Sequence, residues 1–275
     1  MKSTRHACLT LLLAVLLPCL ALAAPKAELW ERWQTHDPGS SLQVDHGPWT
    51  HFLEKYLSVG PNGINRLDYR GLTPEDLTRL GKYLDELART PVSRLSRAVQ
   101  FPFWINLYNA LTVKVVLDHY PVDSIKDIDI SPGLFSSGPW DKKLISIEGE
   151  EISLNVIEHR ILRPIWQDPR IHYAVNCASL SCPNLQPKAY TEENTETLLE
   201  KGATEYINHP RGVTIEDDEL VVSSIYKWYQ EDFGGSEAGV IEHLLDYARP
   251  DLKKRLQTFQ DIEEYRYDWS LNQTR

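Results

Sequence analysis

The chain has 275 residues, a formal net charge of −10 and four cysteines. A chain of this length can bury one sizeable core or two small ones. Its acidic balance excludes the basic footprint that a nucleic-acid partner needs, and four cysteines are too few for a disulfide-rich scaffold.

Lys2, Arg5 and His6 give a basic start, and the run from Ala7 to Ala23 is mostly Leu, Ala and Val. Small residues at Ala21 and Ala23 stand where a signal peptidase cleaves, so residues 1–23 read as a secretory signal peptide. Pro18 interrupts the run, which is short for the ~20 apolar residues of a membrane span. A lipoprotein reading would use Cys19, but Pro18 stands where a small residue is wanted. No later stretch approaches a span, so no transmembrane segment is expected after signal removal. The expected product is soluble and periplasmic or secreted. Of the cysteines, only Cys177 and Cys182 remain in it.

Residues 24–44 form an N-terminal segment whose Glu28–Asp37 stretch looks helical. "WTHFLEKYL" (49–57) places Trp49, Phe52, Leu53, Tyr56 and Leu57 on one helical face. "TPEDLTRLGKYLDELAR" (73–89) opens with a Thr cap, a proline at the first helical position and acids in the first turn. "FPFWINLYNALTVKVVLDHY" (101–120) is apolar nearly all round, which predicts a buried helix. Asn106 and Asn109 share one of its stripes, as ties to neighbouring backbone or as binding groups. His119 reads as a cap at the end of that helix. "KLISIEGEE" looks like a hairpin. In "SLNVIEHRILRPIW" (153–166), capped by Ser153, Glu158 falls on the apolar face while His159, Arg160 and Arg163 fall off it. A carboxylate on a core face needs a partner.

"RIHYAVNC" (170–177) reads as a strand with Ile171, Tyr173, Val175 and Cys177 on one face and His172 on the other. "GVTIEDDELVVSS" (212–224) reads as a hairpin and "IYKWYQEDF" (225–233) as a short aromatic helix, either core or binding surface. Helices follow over 239–248 and 251–259. Asn272-Gln273-Thr274 fits a glycosylation pattern.

Four readings compete for the thiols. A Cys177–Cys182 disulfide would stiffen the loop. A nucleophilic thiol would need a histidine within reach, His172 or His159, and donors for an oxyanion, which the backbone of 178–182 could offer. Glu158, Asn106 or Asn109 would then orient the base. A metal site at His172, Cys177 and Cys182 lacks a fourth ligand, so no metal or cofactor is expected. Two inert buried cysteines complete the set. A phosphate-binding glycine loop, a G-x-S-x-G elbow and H-E-x-x-H are all absent.

"FWINLYNALTVKVVLDHYPVDSI", "GPWDKKL", "SLNVIEHRILRP", "RIHYAVNCASLSCPNL" and "WYQEDF" occur in this order. Together they resemble the domain of unknown function 547 family over residues 45–250. The resemblance carries Trp104, Asn106, Asn109, Glu158, His159, Arg163, His172, Cys177, Ser179, Cys182 and Pro183 over as motif residues, without an activity. The order of helix and histidine segment is similar to transglutaminase-like and papain-like thiol enzymes, although here the thiols follow the histidine. This is fold-level analogy and does not establish function.

The expected fold is α+β in a single domain, with a helical N-terminal part packed on a small mixed or antiparallel sheet. Residues 251–275 add a helix and a tail against it. The expected activity is that of a thiol-dependent hydrolase or acyl transferase acting on peptide or cell-envelope material. Cys182 or Cys177 would attack, His172 would take the proton and Glu158 would hold the histidine or a substrate amine. Asn106, Asn109, His159, Arg163 and Ser179 are expected to bind. The rival is a non-catalytic envelope or binding protein whose disulfide shapes a loop, and a third reading is a redox protein that cycles the pair.

Overall fold

The computed structural model describes residues 25–133 and 138–274. The expected signal peptide lies outside the described residues. The elements are α1 (Gly47–Tyr56), β1 (Leu57–Val59), β2 (Asn65–Leu67), α2 (Pro74–Arg89) and α3 (Arg97–His119), then β3 (Ile145–Ile147) and β4 (Glu150–Ile152). A π-helix over Val156–Leu162 runs into α4 (Arg163–Trp166), and α5 (Ile171–Ala174), α6 (Thr195–Ile207), β5 (Val213–Glu216) and β6 (Glu219–Ser223) follow. α7 (Ile225–Trp228), a 3-10 turn at Gln230–Phe233, α8 (Glu237–Tyr247), α9 (Pro250–Leu256) and β7 (Glu264–Arg266) complete the chain.

Capping and periodicity explain most helices. Thr73 accepts from the backbone N–H of Asp76 at the start of α2, with Pro74 at the first helical position. Ser96 accepts from Val99 N–H to start α3. Along α3 every residue from Val99 to Val113 is buried, as its all-round apolar surface predicts. His119 Nδ1 bonds the Val115 carbonyl at 2.8 Å as its expected capping role requires.

The fold class is α+β, but the strands do not form one sheet beneath the helices. Among the described residues β1–β2 and β3–β4 are separate antiparallel pairs, and only β5–β6–β7 reaches three strands, with β7 parallel to β6. Two hydrophobic cores do the packing. The larger surrounds α3, and the smaller joins α6, β5, β6, α7 and α8. The seam between them passes through α5: Ile171 and Ala174 belong to the first core, Tyr173 to the second.

Three local expectations are corrected. Glu28–Asp37 is helical only over Glu31–Gln34, as a 3-10 turn. Its flanking residues pair instead with the π-helix, Glu28 N–H to His159 O at 2.9 Å and Trp30 N–H to Arg160 O at 3.0 Å. Residues 170–177 are not a strand. Asp168 Oδ1 accepts from Arg170 N–H at 2.9 Å, and Val175 N–H closes a helical turn on Ile171 O at 3.1 Å. All of Ile171–Asn176 is buried, so the alternation of apolar residues did not mark an exposed face. Asn272 of the sequon is buried, accepting from Tyr69 OH at 2.9 Å.

The tail packs as expected, and it packs on the thiol loop. Leu180 N–H bonds Ser270 O at 2.8 Å and Asn272 N–H bonds Ala178 O at 3.0 Å. Among the described residues, no helix is long and apolar enough to cross a membrane.

Candidate functional site

The loop after α5 is held from both ends by asparagine side chains. Asn109 on α3 donates to Ala174 O at 2.9 Å and accepts from Asn176 N–H at 2.8 Å. Asn176 in turn accepts from Ala178 N–H at 2.9 Å and donates to Pro183 O at 2.7 Å. This pins both arms of the loop. Between them Ala178 takes a left-handed conformation, φ 60°, which costs a non-glycine residue energy and persists only under such constraint. Asn106, nearly a helical turn earlier on α3, ties a second segment in the same way. It donates to Tyr190 O at 2.7 Å and accepts from Tyr190 N–H at 3.0 Å. The two amides are thus ties to neighbouring backbone.

The loop brings Cys177 and Cys182 together. Their sulfurs are 3.1 Å apart and both thiols are free. The expected disulfide, which would need ~2.05 Å, is not formed. Cys177 is half-buried and Cys182 buried. Cys177 Sγ also lies 3.3 Å from Ser179 Oγ and 3.1 Å from Tyr267 OH, and these two hydroxyls bond each other at 2.9 Å. The Cys182 S–H beside it, opposed by burial and helped by Ser179 and Tyr267, draws the Cys177 thiol down to about 7. Burial and the adjacent Cys177 sulfur push Cys182 far up. The two thiols are thus shifted in opposite directions, Cys177 toward the thiolate and Cys182 toward the protonated form.

A charge network stands beside the thiols. His172 Nε2 bonds Asp232 Oδ2 at 2.7 Å, and Arg163 Nε donates to the same oxygen at 2.5 Å. His172 Nδ1 faces Glu158 Oε1 at 3.6 Å and has no hydrogen-bond partner among the described residues. The Tyr229 ring stacks on His172 at 4.0 Å, and the Arg163 guanidinium lies over the same ring at 5.1 Å. Burial works against the charge on Glu158, but His159, His172 and Arg163 outweigh it and hold the carboxyl at about 2. Asp232 likewise resists burial through His172 and Arg163, again at about 2. Burial lowers His159, with Glu158 opposing.

Glu158 and His172 therefore face each other. The thiol and the imidazole do not: neither ring nitrogen of His172 bonds a sulfur, and Cys177 is served by Tyr267, Ser179 and Cys182 instead. Tyr108 and Tyr229 lie close enough to both Glu158 and Cys177 to feel their charge. Burial raises both phenols, and Glu158 and Cys177 add to each.

His159 and Arg163 are buried, against the helical-wheel expectation. The cause is the π-helix, a rare form that recurs at functional sites. Its wider turn closes Arg163 N–H on Glu158 O, five residues back. His159 Nδ1 and Arg163 Nη1 then lie 3.1 Å apart, and Arg163 also donates to Pro25 O at 2.7 Å.

Sequence reasoning missed Asp232, Tyr229 and Tyr267. The first two stand inside the quoted "WYQEDF", where a pair of acids, Glu231 and Asp232, set among aromatic residues was the available signal. Tyr267 had none, since only the tail's packing brings it to Cys177. A cleft of about 320 Å³ opens beside this point, lined by Ser181, Arg211, Thr214, Val222, Tyr267 and Asp268 among others. No group of three or more metal-ligating side chains occurs among the described residues.

The family model described as "Protein of unknown function, DUF547" matches residues 92–207, the family whose motifs the sequence resembles. This segment holds the thiols, His172, Glu158 and both asparagines, and leaves Asp232 and Tyr267 outside it. No curated protein and no solved structure matches the chain.

Proposed function

We propose that this is an exported thiol-dependent hydrolase or acyl transferase, acting on peptide or cell-envelope material, with Cys177 as its nucleophile. The observation that supports this reading is the cradle of Cys177. A half-buried sulfur with a lowered pKa is flanked by two hydroxyls and a second thiol, and the residue that supplies one of those hydroxyls, Tyr267, lines an open cleft. A thiolate near neutral pH needs no base to attack. Its electron pair adds to an acyl carbonyl, and the tetrahedral intermediate collapses with expulsion of the leaving group, which takes a proton from solvent. The acyl thioester then passes to water or to an acceptor amine.

Tyr267 OH and Ser179 OH, the hydroxyls beside the sulfur, would serve as donors to the oxyanion. The Glu158–His172–Asp232–Arg163 network is a positioning group in this reading. It fixes the π-helix against α5 and sets the field at Tyr108 and Tyr229. The leader read at residues 1–23 supports a periplasmic or secreted location.

The test is intact mass of the reduced protein after exposure to p-nitrophenyl acetate, with Cys177→Ser alongside. One acetyl group on wild type, absent from C177S, is expected. No acyl adduct, with Cys177 also inert to iodoacetamide in the native state, would favour the non-catalytic envelope-binding reading instead.

A further inference from the structure

We propose that Cys177 and Cys182 also act as a dithiol couple that exchanges with small accessible disulfides, Cys177 attacking and Cys182 resolving. The inference rests on the reactive Cys177 of the proposed function, and goes beyond it because acyl transfer gives Cys182 no covalent step.

The sulfurs are free and 3.1 Å apart, roughly 1 Å more than a bond between them. The loop is already shaped for closure: Asn176 ties Ala178 N–H on one arm and Pro183 O on the other, and the tail holds Leu180 and Ser181 through their backbone N–H groups. Little chain entropy remains to be lost when the bond forms. The two thiols are also unequal. Cys177 is the accessible one, while Cys182 is buried behind it, accepting the Cys177 N–H at 3.0 Å. An entering disulfide meets Cys177 first. This asymmetry divides the labour between an attacking and a resolving thiol.

The Cys177 thiolate displaces one thiolate from R–S–S–R, giving a Cys177–S–S–R mixed disulfide. That reaction removes the negative charge from Cys177, one of the causes holding Cys182 protonated. Cys182 gives its proton to the departing RS⁻ and attacks Cys177 Sγ, expelling the second thiolate, which takes a proton from solvent. Two electrons pass from the protein to the disulfide, two RSH molecules leave, and the Cys177–Cys182 bond remains. An external thiol reverses the sequence.

The experiment mixes the reduced full chain with oxidised glutathione and follows intact mass and free glutathione. Wild type is expected to lose two hydrogens, retain no glutathione and release two equivalents of reduced glutathione. Cys182→Ser, or Cys182→Ala if the serine variant does not fold, is expected to retain one glutathione on Cys177. A stable glutathione adduct on wild type would overturn the proposal, as would an internal disulfide that excess reduced glutathione fails to reopen. Native alkylation by iodoacetamide separates the two ideas. An alkylated Cys177 that never forms the bond sinks only the dithiol couple, whereas an inert Cys177 sinks both.

Discussion

His172 and Asp232, 60 residues apart in sequence, meet through Nε2 and Oδ2 at 2.7 Å. The contact clamps α5 to the 3-10 turn after α7, across the seam of the two cores. Arg163 shares the same carboxylate oxygen, so one half-buried acid is the partner of two buried groups from two other segments. Removing one partner of such a buried set leaves charge uncompensated, at a cost of about 3–5 kcal/mol. Asp232→Asn is therefore expected to destabilise the protein by about that amount, read by urea unfolding at neutral pH. A loss below about 1 kcal/mol, the range of exposed pairs, would show that solvent already screens the contact.

The same network fixes the response to acid. Glu158 and Asp232 ordinarily titrate at 4.5 and 3.8 and are both held at about 2 in the folded chain. Their folded pKa values are depressed, so their contribution is complete above the unfolded values and is lost as pH falls through the folded ones. Stability should decline between about pH 5 and about pH 2. Glu158→Gln should flatten that decline while lowering stability at neutral pH. A pH profile unchanged by the substitution would contradict the assignment.

Tyr267 is expected to tune the thiol. Its hydroxyl stands 3.1 Å from Cys177 Sγ, and it is among the groups that lower the thiol. A hydrogen bond to a charged group contributes about 1.5–3 kcal/mol, which corresponds to about one pKa unit or more. Tyr267→Phe should move the midpoint of the iodoacetamide rate–pH curve upward from about 7 by roughly that amount. The rate at high pH, where both proteins are thiolate, should stay alike. If the midpoint does not move, Cys182 and Ser179 suffice without the tail.

Asn109 offers a test of how the thiol loop is held. Asn109→Ala strips partners from the Ala174 carbonyl and the Asn176 N–H, both in buried surroundings. Each unsatisfied group costs about 1–3 kcal/mol. Asn106→Ala should lose comparable stability, since it also makes two backbone bonds. Only the change at position 109 should also slow native alkylation of Cys177, because of these two asparagines only Asn109 braces that loop. Equal alkylation rates in the two variants would deny Asn109 its positioning role.

Local chemistry made much of this protein legible from its sequence. The cap at Thr73, the buried all-round surface of α3 and the turn residues of the β3–β4 and β5–β6 hairpins act over a few positions, so their patterns survive in the linear chain. The residue types of the site were legible too, since a carboxylate on an apolar face and a thiol-rich loop are locally anomalous. Tertiary structure decided the partners. Cys177 meets Tyr267 across 90 residues and His172 meets Asp232 across 60. Those meetings follow from how two cores pack around α5 and how the tail closes over the loop. The π-helix and the helical turn at Ile171–Ala174 belong to the same class. In fully buried segments apolar periodicity loses its meaning, and only packing selects among backbone forms that the sequence leaves open.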